Sequence, residues 1–174
     1  MENIEILKTS EEVNQRIIEL GDEITQFYGD APLTMIVVMN GGLFVAAKLA
    51  EAIKLEDFYI DSIAAGSYKH DVCTGTLELR STLKLDPRGR NILLVDEVLD
   101  SGRTLKAIKN NLLAEGALTV KTAVLVEKKI VRPDGIEHAD WTGFFMDDRY
   151  LIGCGMDSEE KYRNYPGIAV LIQD

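Results

Sequence analysis

Cysteine is scarce in this chain: Cys73 and Cys154 are the only two among 174 residues. Two thiols placed so far apart make neither a disulfide framework nor a metal knuckle, which points to a reducing compartment and to plain thiols. Cations are also the minority. Nineteen Lys and Arg stand against 29 Asp and Glu, a formal net charge of −10. That excess repels nucleic acid and anionic membranes at long range, although a small local basic site stays open. No run of eighteen apolar residues occurs, and the opening MENIEILKTSEEV has neither a basic leader nor a long apolar stretch. A soluble cytoplasmic protein is therefore expected, with neither membrane nor nucleic acid among its partners. The triphosphatase signature G-x-x-x-x-G-K-[ST] is absent as well. What is present is apolar material, 46% of the residues, enough to give a single domain a real core.

That material is arranged in alternating patterns. Thr9 and Glu12 stand at capping-box spacing, and Val13, Ile17, Leu20, Ile24 and Phe27 then share one helical face, so an amphipathic helix ending near Gly29 is expected. LTMIVVM is apolar without polar alternation, as in a strand covered on both faces, and NGG separates it from the helical LFVAAKLAEAI. FYIDSIAA starts a second unit, NILLV with RTLKAIKNNLLAEG a third, and VKTAVLVEK supplies a fourth strand. Repeated strand-then-helix units imply an α/β fold, a doubly wound and mainly parallel sheet, whose ligands gather beyond the carboxyl ends of the strands. GSYKHDVCTGTLEL reads as a loop outside this repeat. The segment from about 136 to 174 reads as a small hood, to which the amino-terminal segment could add, with Pro133-Asp134-Gly135 as the turn between core and hood.

The strand ends carry one unusual stretch, VDEVLDSGRTL. Asp96 and Glu97 emerge where Ile92 to Val95 end, and adjacent strand residues face opposite ways. Such a pair is poorly placed as facing glycosidase acids but suits a polyhydroxylated or metal-bearing ligand if the strand opens there. Asp100-Ser101-Gly102-Arg103-Thr104 then leads into a helix, where unpaired amides, Gly102 and the hydroxyls of Ser101 and Thr104 would accept a phosphate. Taken alone the turn reads equally well as an acidic helix cap by Asp100 or Ser101. A ribose 5-phosphate satisfies both halves, its diol on the acids and its phosphate on the turn.

The stretch resembles the phosphoribosyl-pyrophosphate motif of the type I phosphoribosyltransferases: apolar residues, two acids, two apolar residues, Asp-Thr/Ser-Gly and a basic residue. The remaining loops resemble those of the hypoxanthine-guanine phosphoribosyltransferases over nearly the full length. VVMNGG is similar to that family's first loop, in which the bond here between Met39 and Asn40 can be cis and the amides around Gly41 contact pyrophosphate. SYKHDVCTG is similar to its flexible loop, with Ser67 and Tyr68 closing over the reaction centre to exclude water from an oxocarbenium-like transition state. By the same resemblance Lys128 donates to the purine 6-oxygen, and a 6-amino group is rejected because it leaves that donor unpaired. Tyr150 stacks on the purine, the Leu151 main chain lies near its 2-position, Asp157 has a magnesium-linked role and Arg163 meets pyrophosphate. Asp100 takes or shares the purine N7 proton while N9 attacks the sugar C1.

The resemblance implies a purine-salvage enzyme using phosphoribosyl pyrophosphate, a 6-oxopurine base and Mg2+, with Asp96, Glu97 and Asp157 as metal-linked acids and a homodimer or homotetramer as the assembly. The alternative is a regulatory protein of the same fold that senses phosphoribosyl pyrophosphate and binds nucleic acid, which the net charge and the full set of site residues disfavour. Two departures from the family pattern stand out. Glu97 replaces the usual aspartate, and FFMDDRY lacks the proline common before the stacking aromatic. His70 and His138 match no required role and read as ordinary surface or loop residues.

Overall fold

Thr9 starts the first helix as its spacing with Glu12 predicts. In a computed structural model describing residues 4–64 and 83–172, the Thr9 hydroxyl accepts from the Glu12 amide at 3.2 Å, and the Glu12 carboxylate accepts from the Thr9 amide at 2.9 Å. The helix α1 runs Ser10–Tyr28 and ends at Gly29. Val13, Ile17, Leu20 and Ile24 are buried along its inner face, but Phe27 is 59% exposed and Tyr28 takes the inward position in the last turn. The exchange has a packing cause: Phe27 meets the edge of Trp141 at 5.2 Å between ring centroids and lies under the Lys121 ammonium, beside the core instead of within it.

The strands follow in the expected order. They are β1 (Ile4–Lys8), β2 (Leu33–Met39), β3 (Phe58–Ala64), β4 (Asn91–Leu99), β5 (Thr119–Lys128), β6 (Trp141–Met146), β7 (Leu151–Ile152) and β8 (Ile168–Leu171), with α2 (Leu43–Ala52) after β2 and α3 (Arg103–Ala114) after β4. Five of them form one sheet in the order β3-β2-β4-β5-β6, every pairing parallel. Helices α1 and α2 cover one face, where Leu20, Ile24 and Leu49 meet Met35, Val37, Leu93 and Val95. Helix α3 covers the other, where Ile108 and Leu112 meet Ile36, Val38, Ile92 and Leu94. Alternate residues of β2 and β4 thus feed two separate cores. This is why neither strand shows polar alternation, and why Ile92 to Val95 have no exposed surface at all.

The expected hood segment, described from 136 to 172, is divided between two sheets. Trp141–Met146 is the fifth strand of the parallel sheet, whereas β7 and β8 join β1 in a three-stranded antiparallel sheet of order β1-β8-β7. The amino-terminal strand therefore packs with the last one. In the main sheet the chain passes from β2 outward to β3 and then returns to lay β4 along the other side of β2. That reversal places a crevice beyond the carboxyl ends of β2 and β4, at residues 39–42 and 99–103. The loop containing Ser67, Tyr68, His70 and Cys73 lies outside the described residues. Among those residues, no helix is long and apolar enough to cross a membrane.

Candidate active site

The two acids of the motif stay within the strand. β4 continues through Asp96 and Glu97 to Leu99, so the ladder does not open before the carboxylates as the sequence reading required. They are nonetheless neighbours: the Asp96 carboxylate accepts from the Glu97 amide at 2.9 Å. Burial, together with the Glu97 carboxyl beside it, pushes the Asp96 carboxyl well above the usual carboxylate range. Glu97 uses its extra methylene to reach the first loop. Its carboxylate lies on Gly41, so closely that a Cβ there would collide with the carboxyl carbon and both oxygens. A side chain at position 41 would have to displace that carboxylate. The Met39–Asn40 peptide bond leading into the loop is cis.

Beyond the acids, Gly102 stands at the head of α3 with φ 70°, a left-handed conformation that favours glycine, and brings no side-chain bond to the helix. Ahead of Gly102, the Arg103 amide donates to the Ser101 hydroxyl at 3.5 Å, a long bond, so Ser101 gives the helix a weak cap and Asp100 takes no part in it. Among the described residues no side chain bonds to the other opening amides of α3, which can meet an anion. Arg103 does not join them with its side chain, which is 70% exposed and paired with Asp134 at 3.1 Å on the rim.

A small open cleft of about 150 Å³ lies beside this turn. It brings together Glu97, Asp100, Lys128, Tyr150, Leu151 and Asp157, each singled out from the sequence. Lys128 is central, its ammonium donating to Asp100 at 3.0 Å and to Asp148 at 2.9 Å. Burial works against its charge, but Asp148 and Asp100 outweigh that and hold it above the ordinary lysine range. Lys128 is therefore a donor and never an acceptor at neutral pH. Tyr150 is 62% exposed, an aromatic ring free to be covered by a flat ligand, and Leu151 beside it is buried. Arg163 donates to the Gly155 carbonyl at 2.7 Å and pairs with Asp157 at 2.8 Å and Glu160 at 2.9 Å. Burial opposes the Arg163 charge, and Glu160, Asp157 and Glu97 restore it.

Several residues at the site were not anticipated. Val98 and Met156 line the cleft, and Asp148 holds Lys128. The last had a signal in the sequence, since the lysine pair 128–129 and the aspartate pair 147–148 meet just past the paired ends of β5 and β6: Lys129 meets Asp147 at 3.2 Å. His138, read as an ordinary loop residue, places Nδ1 2.5 Å from the buried carboxylate of Glu127. Among the described residues no three His, Cys, Asp or Glu side chains form a cluster that would hold a metal ion by themselves.

A profile of the phosphoribosyl transferase domain matches residues 3–159. The hypoxanthine-guanine-xanthine phosphoribosyltransferase of Tritrichomonas foetus is 34% identical over 98% of this chain and 93% of its own. The chain belongs to the hypoxanthine-guanine phosphoribosyltransferase family. The hypoxanthine-guanine phosphoribosyltransferase of Aquifex aeolicus, 31% identical, aligns over 95% of this chain and 93% of its own. A crystal structure of a hypoxanthine-guanine phosphoribosyltransferase from Bacillus anthracis superposes with a TM-score of 0.88 at 31% identity, covering 98% of this chain and all of that one. The fold is that of the type I phosphoribosyltransferases, the chain is an enzyme of purine salvage, and these relatives give the regulatory alternative no support.

Proposed function

We propose that the chain transfers the 5-phosphoribosyl group of phosphoribosyl pyrophosphate to N9 of hypoxanthine and guanine, giving IMP or GMP and pyrophosphate. The observation that carries this reading is the convergence, within one cleft, of a fixed donor, an acid and an exposed aromatic ring at Lys128, Asp100 and Tyr150. The purine lies on Tyr150 with its 6-oxygen on the Lys128 ammonium, which gives up its bonds to Asp100 and Asp148 in exchange. Released from Lys128, the Asp100 carboxylate takes the N7 proton as the N9 lone pair attacks C1. The bond from C1 to pyrophosphate breaks, and its electrons leave with the pyrophosphate.

The sugar spans the crevice, its diol at Asp96 and Glu97 and its 5-phosphate on Ser101, Gly102, Thr104 and the Arg103 amide. Pyrophosphate lies between the first loop, Met39 to Gly41, and Arg163, while Ser67 and Tyr68 close over it. Magnesium takes six oxygens and commonly borrows most of them from substrate phosphates and water. The paired acids Asp96 and Glu97, with Asp157 close by, fit that partial donor set better than a closed cage. When bound, Mg2+ neutralises charge on the departing pyrophosphate. A homodimer or homotetramer and a cytoplasmic location belong to the same proposal.

The test is to supply hypoxanthine, guanine, xanthine and adenine separately with phosphoribosyl pyrophosphate and Mg2+ and to follow nucleotide formation. Hypoxanthine and guanine should react, with adenine slower by at least about 100-fold, because a 6-amino group cannot accept from Lys128. The xanthine rate tells whether this chain shares the wider base range in the name of the Tritrichomonas relative. No reaction with any 6-oxopurine would overturn the proposal.

A further inference from the structure

Arg132 belongs to none of the motifs that point to the site, yet with Glu127 it forms the charged part of the core among the described residues. Only 2% of its side chain is exposed. Its Nε donates to the Asp100 carbonyl at 2.5 Å. One terminal nitrogen donates to Ile130 at 3.2 Å and Glu137 at 3.1 Å, and the other to Leu99 at 2.9 Å and to Lys128. A guanidinium presents five N–H donors in one rigid plane, and all five here meet main-chain carbonyls.

Where those carbonyls lie gives the arrangement its meaning. The pairing of β4 with β5 ends at Leu99 opposite Glu127, so no ladder bond sets the distance between Asp100 and Lys128, the next residue on each strand. Arg132 bonds to both of their carbonyls and takes over at the point where the sheet stops. It is anchored in turn. The Glu127 carboxylate lies 3.9 Å away as its counter-charge and is itself fixed by His138 at 2.5 Å, the Ala139 amide at 3.1 Å and the Thr142 hydroxyl at 2.9 Å.

We infer that Arg132 is a positioning residue for phosphoribosyl transfer, holding the main chain under Asp100 and Lys128 so that the proton acceptor and the base-reading donor keep one separation. The inference rests on the roles proposed above for those two side chains. Lysine at this position keeps the charge but has three rotating donors in place of a planar fork, so it cannot serve five carbonyls.

The experiment is a double-mutant cycle of Arg132→Lys with Lys128→Ala, read by kcat and KM on hypoxanthine, with folding followed by thermal melts. Arg132→Lys should lower kcat on the order of 100-fold, as a displaced catalytic group does, with little change in KM for phosphoribosyl pyrophosphate. In the Lys128→Ala background the same change should cost about tenfold or less, because residues acting as one unit are not additive. A folded Arg132→Lys enzyme with near-normal kcat, or an undiminished loss in the double variant, overturns the inference. Should Arg132→Lys not fold, Glu127→Gln serves instead, keeping the five donors and removing the facing charge. It should lower kcat about fivefold with the same non-additivity, and full additivity would again be contrary. Wild-type turnover in Asp100→Asn would remove the underlying reading, whatever Arg132 does.

Discussion

Asp100→Asn should lower turnover on hypoxanthine by about a thousandfold, or ~4 kcal/mol of activation free energy, while the affinity for phosphoribosyl pyrophosphate changes by no more than about threefold. The two effects separate because Asp100 sits at the boundary of two subsites. Its carboxylate faces the base cleft, 3.0 Å from Lys128, whereas the sugar phosphate is proposed to lie on the amides of residues 101–104. Asparagine keeps the shape and still offers an oxygen to Lys128, so the ion cluster persists through Asp148 and the fold should be unaffected. What is lost is the capacity to take the N7 proton. Initial rates combined with calorimetric titration of phosphoribosyl pyrophosphate separate kcat from sugar binding, and near-normal turnover in the folded variant would contradict the proton role.

Lys128→Ala should collapse base selection. The site is built around an ammonium that is 12% exposed and has two carboxylate partners. Removing it takes away the donor proposed for the 6-oxygen and leaves Asp100 and Asp148 without their shared cation. Hypoxanthine should lose on the order of 100-fold in kcat/KM, roughly 3 kcal/mol, while adenine, which never had a partner there, should change little. The ratio of the two rates is the quantity to measure, and a ratio that stays at its wild-type value would contradict the assignment. The sign of the pH dependence agrees with the charge. A raised lysine pKa means that the ion cluster contributes fully below about 10.4 and is lost only as pH climbs through the higher folded value. Base selection should accordingly hold across neutral and mildly alkaline pH.

How far these features could be read from letters alone follows from where each is encoded. The parallel strands β2, β4 and β5 were legible because a strand covered on both faces must be apolar without alternation, and Ile92 to Val95 show no other pattern. The same continuity hid one detail. Nothing in the run shows whether it opens at Asp96 and Glu97, the condition set for a diol grip, or carries on in ladder geometry, as it does to Leu99. Phe27 and Tyr28 illustrate a second limit: helical periodicity chose Phe27 for the core, but Trp141, more than a hundred residues away, gives Phe27 an edge contact outside it. The candidate site could be proposed from letters where side chains carry the pattern, as from Asp96 to Thr104 and at Lys128 and Tyr150, which the fold brings to one cleft with Asp100. It was illegible where the main chain supplies the partners. Arg132 bonds to backbone carbonyls from residues 99 to 137, and a main-chain acceptor leaves no signature in side-chain letters. Asp148 was within reach, since a lysine pair at the end of β5 and an aspartate pair just after β6 leave a visible charge pattern.

The measurement that bears most directly on the whole account is a crystal structure with phosphoribosyl pyrophosphate and Mg2+ bound. The 5-phosphate should lie within hydrogen-bond reach of the amides that open α3, with the ribose diol at Asp96 and Glu97 and the pyrophosphate between Gly41 and Arg163. Density placing the phosphate away from residues 101–104, or the ribose away from the two acids, would contradict it.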